Sequence, residues 1–120
     1  MKKLIVAAVS IAALTPAGLA SARTEAPARA AATTISVRGK EFSFRLSKRS
    51  IPKPETVTFK FHNVGTMAHD FDIGGKKTPL IGRGKTARLT VRFHRKGRFS
   101  YRCTVPGHAQ AGMKGAFTVG

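Results

Sequence analysis

Residues 99–119 read FSYRCTVPGHAQAGMKGAFTV: an alternating segment, a loop punctuated by glycine, and a second alternating segment. Phe99 and Tyr101 recur at a period of two ahead of Cys103, and Phe117 and Val119 do the same near the chain's end. That period belongs to β-strands, whose successive side chains point to opposite faces. Between the two segments, Cys103, His108 and Met113 follow one another at intervals of five. A helix would set residues five apart on different faces. Pro106-Gly107 and Gly112 instead supply turns that let His108 and Met113 point back toward Cys103. A thiolate, an imidazole and a thioether in one loop suit copper. A blue-copper site takes two imidazoles, one thiolate and a weak axial thioether. The loop lacks one histidine of that set, and His69 is the candidate for it.

Working outward, the rest of the chain repeats the strand pattern. Ile35 and Val37 alternate with polar neighbours, as do Phe42, Phe44 and Leu46, and then Val57, Phe59 and Phe61. Phe71 and Ile73 follow His69, and Leu89, Val91 and Phe93 form a further inward set. Turn residues separate these segments, and no segment keeps a helical period for three turns. The expected fold is all-β, a Greek-key sandwich or barrel of about seven to eight strands over residues 34–120. His69 falls at the start of one strand and Cys103 at the end of another, so adjacent strands can bring both to one pole.

Each candidate has a plainer reading beside the metal-binding one. Cys103 is the only cysteine and has no intramolecular disulfide partner. A small buried hydrophobe would explain it but not its neighbours His108 and Met113. Met113 could be core, yet it sits in a glycine-flanked loop with a thiol and an imidazole. His69 could be a surface histidine at a strand start; the Phe-x-Ile run behind it favours the site. His62 and His94 each follow an inward Phe and are expected to face solvent. Met67 is expected to pack in the loop near the site rather than to bind the metal.

The stretches NVGTMAHDF (residues 63–71) and FSYRCTVPGHAQAGMKGAFTV (residues 99–119) resemble the small cupredoxins, the plastocyanin and azurin type of blue copper protein. The resemblance covers essentially all of residues 34–120. It implies His69, Cys103 and His108 as equatorial ligands of one type 1 copper ion, with Met113 as the long axial ligand. Four residues separate Cys103 from His108, and four separate His108 from Met113. Plastocyanins typically have a shorter first gap and azurins a shorter second one, so the chain matches neither closely. The resemblance also implies a supporting pair, Asp70 and Thr104, with Asp70 standing where many members have Asn. A carboxylate accepts hydrogen bonds but does not donate them, and Thr104 is its expected donor.

At the N-terminus, Lys2 and Lys3 precede an apolar run from Leu4 to Leu14, and Ala20-Ser21-Ala22 forms an A-x-A cleavage site. These features read as a secretory signal peptide over residues 1–22, followed by an Ala- and Pro-rich flexible leader over 23–33. The alternative, an uncleaved anchor, is disfavoured because the run is shorter than the roughly 20 residues of a membrane span. The expected location is therefore extracytoplasmic, in the periplasm or at the outer cell surface. Losing Lys2 and Lys3 lowers the basic count from 22 to 20 against 5 acids, leaving a mature charge of +15. Such a field steers anionic partners: an acidic redox protein, or an anionic membrane or cell-wall surface. With one Tyr and no Trp, the chain offers no stacking platform for nucleic acid, and it is expected to act as a monomer.

No paired carboxylates, nucleophile–base pair or open ligand position points to an enzyme. A coupled binuclear copper site would need a second cysteine. The expected function is an exported one-electron carrier cycling between Cu(I) and Cu(II). The alternative is extracytoplasmic copper sequestration or delivery, and a third reading is a polyanion binder with structural copper. By analogy with the family, electrons are expected to pass through an exposed edge of His108, ringed by Pro106, Gly107, Ala109 and Ala111.

Overall fold

Alternation puts the apolar residues of each strand on one side, and two such faces close on each other. The computed structural model describes residues 33–120. The expected signal peptide and all of the expected leader except Thr33 lie outside the described residues. The strands are β1 (Thr33–Lys40), β2 (Ser43–Leu46), β3 (Ser50–Ile51), β4 (Thr56–Asn63), β5 (Asp72–Ile73), β6 (Lys76–Lys77), β7 (Thr86–Arg92), β8 (Gly97–Arg102) and β9 (Lys114–Val119). One sheet has the order β2-β1-β4-β7 and the other β3-β9-β8-β5-β6. β1 runs parallel to β4 and β3 parallel to β9; the other pairings are antiparallel.

The architecture is the expected all-β sandwich, with nine strands among the described residues rather than seven or eight. The difference lies in β3 and β6, each two residues long, too short to show a period in sequence; β5 is the short strand at the expected Phe71–Ile73 segment. The first strand begins at Thr33, one residue before the expected boundary.

Register explains the core. Ile35 and Val37 of β1 lie opposite Phe59 and Phe61 of β4, and all four are fully buried. Phe71 and Phe117 complete the centre, their rings 5.3 and 5.4 Å from that of Phe59. Burying a phenylalanine contributes about 1.5–3 kcal/mol, so this cluster is the main stabilising feature of a small domain.

The outer faces carry the charge. His62 lies on the outer side of β4, partly covered, with Nδ1 2.8 Å from the Thr86 hydroxyl; His94 is exposed just past β7. Neither joins the metal cluster. Phe42 departs from the expected alternation. It sits in the β1–β2 turn, 37% exposed, while Phe44 and Leu46 turn toward the core. At that same end of the sandwich the β1–β2 turn, the β4–β5 loop and the β8–β9 loop meet.

Candidate metal centre

The β8–β9 loop folds on itself through its own backbone. The N–H of His108 donates to Val105, that of Ala111 to both Gly107 and His108, and that of Gly112 to Ala109. The Met113 N–H then reaches back five residues to the His108 carbonyl at 3.1 Å, and the Met113 carbonyl accepts from Cys103 N–H at 3.1 Å. This wider-than-helical turn brings residues five apart to one side, which a regular helix would not do. Gly107 and Gly112 have φ of 86° and 126°, the region where a side chain is strained.

His69 is held from outside its own segment. It is not inside a strand but forms an isolated bridge with Ile81, through two backbone hydrogen bonds of 3.1 and 2.9 Å. The turn leading to it is fixed by the buried Asn63. The Asn63 side-chain amide donates to the carbonyls of Met67 and Ile81, both at 2.9 Å, and its oxygen accepts from Gly65 N–H at 2.8 Å. Met67 itself is 46% exposed, consistent with a place in the loop and not at the centre.

These two supports bring three donor atoms together. Nδ1 of His69 and Nδ1 of His108 lie 3.1 Å apart, and Cys103 Sγ lies 3.8 and 3.5 Å from them. A point equidistant from the three atoms is about 2 Å from each, close to the bond lengths borderline metals make to imidazole and thiolate. The three residues could hold one metal ion, and all are buried, His69 at 0%, Cys103 at 1% and His108 at 5% exposure. Burial pushes the Cys103 thiol pKa up, so metal binding there must displace a proton. Met113 is fully buried, and its backbone is bonded to both Cys103 and His108.

Asp70 joins the two supports. Its Oδ1 accepts from the Thr104 N–H at 2.7 Å, and its Oδ2 accepts from the Thr104 hydroxyl. The expected Asp70–Thr104 pairing is present and ties the His69 segment to the residue after Cys103.

Two residues of the site were not singled out in the sequence. Glu41, in the β1–β2 turn, accepts from Nε2 of His69 at 2.8 Å, from the Met67 N–H at 2.9 Å and from the Thr66 N–H at 3.0 Å. The Met67 and Thr66 N–H groups, and then His69, lower its pKa from 4.5 to about 2. Phe42 places its ring edge-on to His108, with centroids 5.0 Å apart. His108 is therefore covered, not open at its edge; Pro106, Gly107 and Ala111 around it are exposed. No local pattern marks either residue. The one signal is scarcity, since Glu41 is one of 5 acids among 22 basic residues.

With this geometry in view, similarity to known proteins takes on meaning. Residues 30–120 match the family described as copper binding proteins, plastocyanin/azurin family. The chain belongs to that family. It is a cupredoxin, and its cofactor is one copper ion. A solved auracyanin B superposes with a TM-score of 0.65 at 25% identity, covering 82% of this chain and 93% of that one. A dithionite-reduced auracyanin from Roseiflexus castenholzii gives a TM-score of 0.66 at 24% identity, covering 76% of this chain and 99% of that one. A copper-resistant cuproprotein, CopI, of Pseudomonas aeruginosa is 42% identical over 53 residues, which are 44% of this chain and 27% of that protein. The match thus spans about a quarter of that curated relative.

Proposed function

We propose that this cupredoxin is an exported one-electron carrier, with His69 Nδ1, Cys103 Sγ and His108 Nδ1 as equatorial copper ligands and Met113 as the axial one. The observation that carries the reading is the buried triangle of three donor atoms, already spaced for a metal by bonds that do not involve it. Bound copper supplies a Cu(I)/Cu(II) couple. The chain's part is to keep the donors still. The loop's internal hydrogen bonds hold Cys103, His108 and Met113, while Asn63, Ile81 and Asp70 hold His69 against them. A site fixed in this way changes little between oxidation states, which keeps reorganisation small. The four donor side chains would fill the copper's coordination positions, which fits a carrier rather than an enzyme.

Electrons would enter and leave beside His108 and the Phe42 ring. Lys114 and Arg102 lie opposite each other at the base of the metal loop, and Arg38 lies opposite Arg45 on the outer face of the other sheet. Like charges placed opposite one another are unfavourable in the free protein; Asp72 Oδ2, 3.7 Å from Arg102 Nε, offsets part of this at the first pair. An acidic partner would relieve that repulsion and be steered toward the copper pole. Export follows from the signal-peptide pattern at residues 1–22.

The similarity to a copper-resistant cuproprotein favours a second reading, sequestration or delivery of copper. The purified protein loaded with Cu(II) separates the two. A carrier gives an intense visible absorption that ascorbate bleaches and an oxidant restores over repeated cycles, and it keeps its copper against a mild chelator. Copper that leaves readily to the chelator, or binds without the intense band, supports sequestration instead.

A further inference from the structure

The β1–β2 turn docks onto both histidines of the centre. Phe42 lies against His108, and its carbonyl faces Gly112 so closely that a Cβ there would come within 2.8 Å. Glu41 reaches under Gly65, where a Cβ would collide with the carboxylate. His69 is wholly buried, and its two ring nitrogens face different groups. Nδ1 points to Cys103 and His108, while Nε2 meets Glu41 Oε1 at 2.8 Å. Glu41 is itself only 23% exposed at its side chain. Its remaining contacts are donors: the N–H groups of Thr66 and Met67 and the Thr66 hydroxyl.

We propose that Glu41 is a positioning residue of the copper centre, fixing the His69 tautomer that leaves Nδ1 free to bind and lowering the reduction potential of the bound copper. The inference rests on His69 being a ligand. Only one ring nitrogen of a neutral imidazole carries a proton, and the hydrogen bond at the far nitrogen selects which one. A carboxylate there accepts the Nε2–H, so the Nδ1 lone pair faces the metal. The same bond makes the imidazole a stronger donor. A negative charge one ring away favours the more highly charged oxidised metal, so Cu(II) is stabilised more than Cu(I). Glu41 reaches His69 across 28 positions of sequence, which makes the turn a remote control on the site.

The experiment uses copper-loaded full-length protein and reads the potential by spectroelectrochemistry. Glu41→Gln keeps the shape and an acceptor oxygen but removes the charge. The ratio of Cu(I) to Cu(II) affinity should rise about tenfold, about 59 mV for one electron, with the visible band little changed. Glu41→Ala also removes the acceptor, and copper should be lost to a chelator about tenfold or more faster. An unchanged potential in Glu41→Gln overturns the proposal. So does a fall in melting temperature shared by copper-free and loaded forms without any change in potential, because that marks a role confined to the Thr66–Met67 loop. His69→Ala isolates the underlying reading. Loss of the intense band together with a normal Glu41→Gln potential sinks only the Glu41 proposal, whereas a retained band removes His69 from the ligand set.

Discussion

The loop from Cys103 to Met113 carries three of the four ligand candidates and is held by hydrogen bonds among its own members. The single histidine opposite it, His69, is held by Glu41, Asn63 and Ile81, drawn from three separate strands or loops. The first half is a local structure, held by bonds within residues 103–113. The second half exists only when the sandwich has closed, because its supports are distant in sequence. The centre is thus finished by folding: the loop brings the thiolate and one imidazole, and the sandwich delivers the other imidazole to them. Asp70 is the joint between the two halves, bonded to Thr104 beside the cysteine.

Changes to the loop should cost the chemistry, and changes to the His69 support should cost stability or tuning. The largest effect belongs to Cys103→Ala, which should abolish the intense visible absorption altogether while leaving a folded sandwich by circular dichroism. Retention of the band in that variant would make the loop irrelevant to the colour. Next comes Asn63→Ala. It leaves the Met67 carbonyl and the Gly65 N–H without their partner, each worth about 1–3 kcal/mol when buried, while the Ile81 carbonyl keeps the His69 N–H. Urea unfolding of the copper-free protein should show a loss of about 2–4 kcal/mol; a loss below about 1 kcal/mol would mean that the sandwich does not depend on that turn.

Asp70→Asn acts on the joint. Replacing the carboxylate by an amide removes negative charge near the thiolate, so the reduction potential should rise; a fall or no change would deny Asp70 a tuning role. The effect of pH on the copper-free protein is smaller. Glu41 has its pKa lowered from 4.5 to about 2 in the folded state, so it binds protons more weakly folded than unfolded. Its contribution to stability is present above about 4.5 and is lost as pH falls toward about 2. Denaturation curves of Glu41→Gln should therefore be flatter than those of the parent across that window, with equal slopes as the contrary result. Least of all, His94→Ala should leave colour, potential and stability unchanged, since His94 is exposed and outside the cluster.

The same contrast explains what could be read from sequence. Cys103, His108 and Met113 declare themselves by residue type and spacing, and the alternation of Phe59, Phe61 and Phe117 declares the sandwich. His69 is less distinctive, since a histidine at a strand start is often a surface residue; the Phe-x-Ile run behind it and the family resemblance made it legible. Glu41 was not legible, because its partner is 28 positions away and a lone acid in a turn resembles any solvated residue. Phe42 misled for a related reason. It continues the alternation of Phe44 and Leu46, but the β1–β2 turn intervenes and rotates it from the core onto His108. The two-residue strands β3 and β6 carry no periodicity, and only pairing, to β9 and to β5, defines them.

X-ray absorption at the copper edge, on the loaded protein before and after reduction, tests the central claim most directly. A rigid four-ligand centre predicts one short copper–sulfur bond and two imidazole nitrogens at about 2 Å, with nearly the same distances in both oxidation states. Copper surrounded only by nitrogen and oxygen, or a histidine lost on reduction, would contradict it.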